Sequence, residues 1–191
     1  MGKYIQIQEE CYKANMQLPA LGLVIFTFGN VSVADRKQGV FAIKPSGVPY
    51  EELSPEKMVI VDFDGNVVEG KLRPSSDTKT HAVLYKHWEK TGAIVHTHST
   101  YATAWAQAQR DIPIYGTTHA DHNTVDIPCA PPMNDDMIRG DYEYQTGFQI
   151  INCFAERKLS YEEVEMILVG NHAPFAWGKN GAKAVYNAAV V

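Results

Sequence analysis

The sequence His96-Thr97-His98 directly follows the short apolar run of residues 92–95. Such a run indicates a buried β-strand, and residues i and i+2 of a strand project from the same face. Two imidazoles would then lie side by side at a strand end, where both could bind one divalent metal ion at roughly 2.0–2.1 Å. Taken alone, the pattern fits equally well a pair of structural histidines that hydrogen-bond to loops.

The composition is that of a soluble globular protein. The chain has 191 residues, of which 45% are hydrophobic and 20% charged, and a net charge of −5. We expect one domain with a substantial core, and nothing in this mildly acidic balance suggests a nucleic acid or a membrane surface as a partner. Three widely spaced cysteines form no disulfide framework or thiolate metal motif and are typical of a reducing compartment. Because the first residues show no signal-peptide pattern, we expect a cytoplasmic protein.

Hydrophobic periodicity and turn signals predict short alternating elements. Helices are predicted at residues 3–18, 78–90, 101–109, 135–156 and 182–191. Strands are predicted at residues 23–28, 40–43, 58–63, 67–69, 94–98 and 165–169. This order predicts one domain over residues 1–191 in which a sheet is sandwiched by helices. The last helix has no closing residue before Val191, so we expect the chain to lack a C-terminal tail.

A third histidine, His172, follows the apolar run of residues 167–169. Three histidines that leave a fourth position open are the arrangement of a catalytic metal site, although His172 alone would be interpreted as a structural loop residue. The hydroxyls of Ser75 and Ser76 precede the helix predicted at residues 78–90, and helix N-termini bind phosphate. Asp77 could cap that helix or approach the metal.

Two further turns and one polar run have the composition of ligand-binding loops. Lys44-Pro45-Ser46-Gly47 combines a cation, a hydroxyl and a glycine that lets backbone approach a ligand, and Gly29-Asn30 is a similar tight turn. In the run of residues 117–122, Asp121 could act as a general acid or base. His119 or His122 could be a further metal ligand or a hydrogen-bond partner of one. Each segment alone is also consistent with an ordinary surface loop.

In this order, the clusters resemble the class II aldolase/L-ribulose-5-phosphate 4-epimerase family. The resemblance covers the chain from about residue 10 onwards and is carried by residues 29–32, 44–48, 71–77, 94–98, 105–108, 116–121 and 174–179. It implies a single α/β (α+β) domain with a central, mainly antiparallel sheet flanked by helices. It also implies a cyclic homotetramer with active sites between neighbouring subunits.

The resemblance also implies roles for the residues singled out above. His96, His98 and His172 would hold Zn²⁺, with Asp77 at or beside the metal and with Mn²⁺ or Co²⁺ as alternative ions. The substrate phosphate would bind among Gly29, Asn30, Lys44, Ser46, Gly47, Ser75 and Ser76. Asp121 would be one catalytic acid/base. The second, a tyrosine near the C-terminus that acts in the neighbouring subunit's site, has no match here, because Tyr186 lies too early.

The implied reaction converts L-ribulose 5-phosphate to D-xylulose 5-phosphate, a step shared by arabinose, ascorbate and related pentose routes. C4 carries no acidic proton, so simple deprotonation cannot invert it, and the implied route is retro-aldol cleavage of the C3–C4 bond, rotation of the aldehyde and re-formation of the bond. The enediolate product of cleavage needs a Lewis acid, which a divalent metal provides. An aspartate at position 77, where related aldolases carry glutamate, favours the epimerase branch. The alternatives are a sugar-phosphate aldolase of the same superfamily and, if the tail is natively absent, a catalytically impaired metal-binding homologue.

Overall fold

The computed structural model describes residues 2–191, and its strands form one eight-stranded sheet. The order is β4-β3-β2-β1-β5-β8-β7-β6, and every neighbouring pair is antiparallel except β6 and β7. The strands are β1 (Asn30–Asp35), β2 (Val40–Ile43), β3 (Val59–Asp62), β4 (Val67–Glu69), β5 (Ala93–His96), β6 (Cys129–Ala130), β7 (Met166–Val169) and β8 (Pro174–Gly178). The predicted α/β fold with a mainly antiparallel central sheet is confirmed.

Helices cover both faces of this sheet. They are α1 (Ile5–Ala20), α2 (Thr78–His87), α3 (Thr100–Gln107), α4 (Thr117–Ala120), α5 (Asp135–Arg139), α6 (Tyr142–Glu156) and α7 (Gly181–Val190). Val95 of β5 packs in a core cluster with α1 and α7, whereas its neighbour Ile94 packs in a second cluster with α2 and α6. Burial on both faces explains why β5 is a continuous apolar run. Across residues 2–191, no helix combines the length and the apolar character needed to cross a membrane.

Strand register brings the ends of four central strands to one edge of the sheet. Asn30, the first residue of β1, lies opposite His96, the last residue of β5. His96 in turn lies opposite Phe175, which follows the turn between β7 and β8. Ser32 lies opposite Ile43, so the loop that leaves β2 begins at the same edge. The loops that carry the predicted site residues therefore share one end of the sheet.

The prediction of a strand at residues 23–28 is wrong. This segment turns back on itself, because Leu23 N bonds to Leu18 O and Phe28 N to Ile25 O. Its apolar side chains are not covered by a neighbouring strand, and Phe26 is 82% exposed with a φ of 53°. The strand that occupies the centre of the sheet is instead β1, whose buried polar residues Asn30 and Ser32 concealed it from the hydrophobic pattern.

Several other predicted boundaries also change. The strand predicted at residues 94–98 ends at His96, so His98 lies in the following loop. The helix predicted at residues 78–90 ends at His87. The helix predicted at residues 135–156 is interrupted at Gly140 and Asp141. It forms two helices, α5 and α6, instead of one.

Candidate active site

The structure brings the three predicted histidines together. Ligand atoms of His96, His98 and His172 all lie within 4.8 Å of one another. His96 ends β5, His98 follows it by two residues, and His172 occupies the turn between β7 and β8. The ring centroids form a triangle with sides of 4.8, 4.9 and 5.2 Å.

Hydrogen bonds at the outer ring nitrogens orient two of these imidazoles. His96 Nδ1 lies 2.9 Å from the carbonyl oxygen of Pro174 and must donate to it, so Nε2 keeps the free lone pair. Phe175 stacks on the His96 ring at a centroid distance of 4.2 Å and fixes its plane. The hydroxyl of Tyr142 lies 3.4 Å from His172 Nδ1, which leaves Nε2 of that ring as the available ligand atom.

These residues fit a divalent metal ion. His96 Nε2 and His98 Nε2 are 3.1 Å apart, close to the roughly 3.3 Å between two nitrogens that bind one tetrahedral ion at 2.0–2.1 Å. Burial lowers the pKa of His96 and of His172 to about 3 and also lowers the pKa of His98. All three imidazoles are therefore neutral at neutral pH, which is the protonation state that binds metal.

Asp77 lies beside the histidines and begins α2 without capping it through its side chain. Its carboxylate accepts a 2.7 Å hydrogen bond from Asn30 Nδ2 and a 3.4 Å hydrogen bond from Ser75 Oγ. Asn30 was predicted to bind phosphate, and here its amide nitrogen holds Asp77. Both bonds go to Oδ2, so Oδ1 of this cavity-lining carboxylate is available to a metal ion or to a substrate hydroxyl.

The two hydroxyl-bearing loops lie side by side. Ser46 N donates to Arg73 O at 2.9 Å and Ser75 N donates to Lys44 O at 3.0 Å. Within residues 2–191, the N–H groups of Gly47 and Ser76 donate no hydrogen bond. Two free amides beside serine hydroxyls, at the start of α2, form a site suited to an anion.

The site forms a cavity of about 430 Å³. All predicted metal and phosphate residues line it: Gly29, Asn30, Lys44, Ser46, Gly47, Ser75, Ser76, Asp77, His96, His98 and His172. Lys44 is buried, and burial lowers its pKa to about 8. Its ammonium group donates to Thr27 O at 3.0 Å, so this cation is hydrogen-bonded to another residue that lines the cavity.

At the start of α6, sequence reasoning missed two residues that line the cavity, Tyr142 and Glu143. Thr80 of α2 donates a hydrogen bond to Glu143 O, and Lys79 pairs with Asp141 at 2.6 Å. These contacts between α2 and α6 hold the start of α6 over the histidines. No local motif marks the two residues, because their position depends on the break before α6.

The structure does not bring the residues of the 117–122 run into this cavity. Asp121 is exposed at the end of α4, outside the cavity. His119 Nε2 lies 3.3 Å from Val190 O, and His122 Nε2 lies 3.0 Å from the Tyr186 hydroxyl. Both histidines thus attach this segment to α7 and lie outside the histidine triangle of their own chain.

A fully buried polar chain supports α2 behind the site. Ser32 Oγ lies 2.7 Å from His81 Nδ1 and 2.8 Å from the Tyr85 hydroxyl. His81 and Tyr85 share the face of α2 that begins with Asp77, because the three residues are spaced by four. Burial lowers the pKa of His81 to about 3.

The buried imidazoles predict acid sensitivity of the metal-free protein. His81, His96 and His172 have a pKa of about 3 when folded and an ordinary value of 6.5. Between these values the unfolded chain binds more protons, so stability is complete above about pH 6.5 and falls as the pH drops toward 3. Each imidazole contributes a slope of at most about 1.4 kcal/mol per pH unit. Denaturant titrations of metal-free protein from about pH 7.5 to about pH 4.5 measure this loss, and a flat profile would contradict it.

Comparison with known proteins agrees with this fold. The family described as Class II Aldolase and Adducin N-terminal domain matches residues 9–191. Because the match spans nearly the whole chain, the protein belongs to the class II aldolase family.

Individual relatives show which members of the family this chain is similar to. The chain is 50% identical to the L-ribulose-5-phosphate 4-epimerase UlaF of Salmonella paratyphi B, over 97% of this chain and 81% of that protein. The UlaF epimerase of Salmonella typhi matches to the same extent. Among solved structures, an L-fuculose 1-phosphate aldolase superposes with a TM-score of 0.78 at 27% identity, covering 97% of this chain and 81% of that chain. The L-fuculose-1-phosphate aldolase of Thermus thermophilus shares the fold, with a TM-score of 0.71 at 23% identity and coverage of 96% and 86%.

Proposed function

We propose that the protein is a metal-dependent epimerase that interconverts L-ribulose 5-phosphate and D-xylulose 5-phosphate. The observation that carries this proposal is the single cavity in which three neutral imidazoles lie beside an anion-binding pair of loops. The 50% identity to epimerases over most of the chain supports the same reaction. We assign the whole activity to one domain and place it in the cytoplasm, where free thiols such as the buried Cys11 persist.

The two halves of the cavity would bind the two ends of the substrate. Ser46, Gly47, Ser75 and Ser76 would bind the phosphate through hydroxyls and amides. His96, His98 and His172 would hold Zn²⁺, or Mn²⁺ or Co²⁺ in its place, with Asp77 beside it. When bound, the metal would supply a Lewis acid that stabilises negative charge on the sugar oxygens.

This arrangement suits cleavage and re-formation of the C3–C4 bond. C4 has no acidic proton, so deprotonation cannot change its configuration, whereas breaking and re-forming the bond to C3 can. The fragment that leaves carries the phosphate, and the loops around Gly47 and Ser76 would retain it while its aldehyde rotates. Retention of the aldehyde separates an epimerase from an aldolase, which must release it.

We also propose that copies of this chain assemble as a homotetramer with active sites between subunits. An apolar loop lies at the rim of the cavity, with Ile25 62% and Phe26 82% exposed. Phe28, which is also exposed, has its ring 6.3 Å from that of His98. Exposed apolar groups of this kind are typical of interfaces. An interface here would bring groups of a second subunit to the metal end of the cavity.

The second candidate function is a sugar-phosphate aldolase, which the superposition on an L-fuculose 1-phosphate aldolase favours. Incubation of the zinc-loaded protein with L-ribulose 5-phosphate distinguishes the two. We expect D-xylulose 5-phosphate to form at a kcat of about 1–1,000 s⁻¹, the range usual for enzymes, without accumulation of glycolaldehyde phosphate. Free aldehyde without the epimer would establish the aldolase instead. Metal-free protein is the control and should form neither product.

A further inference from the structure

Residues 27–29 form one wall of the cavity, and their carbonyl groups accept hydrogen bonds from two buried side chains. Lys44 Nζ donates to Thr27 O at 3.0 Å. The hydroxyl of Tyr50 donates to Phe28 O at 2.9 Å and to Gly29 O at 3.1 Å. A phenol has one proton, so Tyr50 shares it between two adjacent carbonyls. Three consecutive peptide groups of the wall are therefore held by two side chains.

Lys44 and Tyr50 also hold each other. The Lys44 ammonium lies 4.8 Å from the centroid of the Tyr50 ring, a distance at which the ring face attracts a cation. Both side chains are buried. Burial raises the pKa of Tyr50 above its usual range, so the phenol stays protonated and can donate.

Apart from the turn bond from Phe28 N to Ile25 O, these two side chains provide the hydrogen bonds that hold the wall. It contains no helix or strand, and it precedes Asn30, whose side chain orients Asp77. Gly29 adopts a φ of +74°, and a Cβ at this position would lie 2.6 Å from Val24 Cγ1 and 3.0 Å from His96 O. The position of Gly29 is therefore narrowly defined, and even a small displacement on loss of the hydrogen bond to Gly29 O would be passed on to Asn30 and the residues that line the cavity.

We propose that Tyr50 is a positioning residue of the active site, which fixes the wall of residues 27–29 and through it the start of β1 at Asn30. The proposal rests on the proposed function in one respect, because the wall faces the loops assigned to the substrate phosphate. Tyr50 contacts no group of the substrate in this scheme. Its hydroxyl fixes the positions of Gly29 and Asn30 relative to Ser46 and Ser75. It therefore fixes the width of the cavity where the substrate phosphate would bind.

The variant Tyr50→Phe tests this role, because it removes the hydroxyl and leaves the ring beneath Lys44. We expect the KM for L-ribulose 5-phosphate and the inhibition constant of inorganic phosphate to rise by about 10- to 100-fold. The zinc content should change by less than about twofold, since the histidines keep their positions, and kcat should fall by much less than KM rises, since Asp77 is affected only through Asn30. A purely structural role would lower the melting temperature without this separation of KM from kcat.

The matched control is Tyr4→Phe. Tyr4 and Tyr50 are each 5% exposed, and the Tyr4 hydroxyl accepts from Lys3 at the start of α1, away from the cavity. This variant should leave KM and phosphate inhibition unchanged. An unchanged KM and an unchanged phosphate inhibition constant in folded Tyr50→Phe would overturn the proposal.

Amide hydrogen exchange keeps the proposal separate from the proposed function. If Tyr50 holds the wall, amides of residues 27–30 exchange at least about tenfold faster in Tyr50→Phe, whereas those of β7 and β8 are unaffected. This readout needs no substrate, so it decides on Tyr50 even if wild-type protein neither binds phosphate nor turns over the sugar. Should Tyr50→Phe not fold, the variant Tyr50→Met replaces it, because methionine is smaller than tyrosine, adapts to irregular space and has no hydrogen-bond donor. Unchanged exchange at residues 27–30 would overturn the proposal.

Discussion

Replacing His98 with alanine is expected to remove the bound divalent metal and to lower kcat/KM by at least about a thousandfold. The remaining pair, His96 and His172, offers two nitrogens. The Asp77 carboxylate is held by Asn30 and Ser75 rather than placed to replace the lost imidazole. The fold should survive, because His98 lies in a loop after β5 and its side chain is exposed at the cavity. Metal content by atomic spectroscopy and turnover of L-ribulose 5-phosphate measure the two losses.

The control for this variant is His87→Ala. His87 is an exposed histidine at the end of α2, and its ring bonds to the carbonyl of Val83 in its own helix. This variant should bind metal and turn over substrate like the wild type. Stoichiometric zinc in a protein that carries both His96→Ala and His98→Ala would show that the metal binds elsewhere.

The histidine half of the site was predictable because it depends on strand ends. The apolar runs before His96 and His172 were visible in the sequence, and neighbouring strand ends meet at one edge of a sheet. Ser46 and Ser75 were predictable for a similar reason, since each follows or precedes an element with clear boundary residues. The fold class followed from the order of these elements and from the family resemblance.

The rest depends on contacts between distant segments. Strand β1 begins at a polar residue, and only its pairing with β2 and β5 identifies it. Conversely, the apolar residues 23–28 remain a loop because no neighbouring strand pairs with them. The hydroxyls of Tyr50 and Tyr142 are hydrogen-bonded to residues that line the cavity. Hydrophobic periodicity carries no information about such bonds.

Asp121→Asn is expected to retain the metal and to lower kcat by about 10²- to 10⁴-fold, the contribution usual for a general acid or base. The amide has nearly the shape of the carboxylate, and Asp121 is exposed at the end of α4, so stability should change little. Turnover and metal content measured on the same preparation check this. Loss of zinc in Asp121→Asn, or unchanged turnover, would remove Asp121 from the mechanism.

The position of Asp121 outside the cavity of its own chain predicts where it acts. If it transfers protons in the site of a neighbouring subunit, each site takes its histidines from one chain and its Asp121 from the next. Asp121→Asn and His98→Ala then damage groups that different chains supply to the same site. Oligomers in which the two inactive chains are mixed at random should then regain activity, because about a quarter of their sites combine an intact histidine triangle with an intact Asp121 from the neighbour. Co-expression with two different tags and purification through both provides such oligomers. If Asp121 instead acts within its own chain, the mixed oligomers stay as inactive as each parent, since no site then contains both groups.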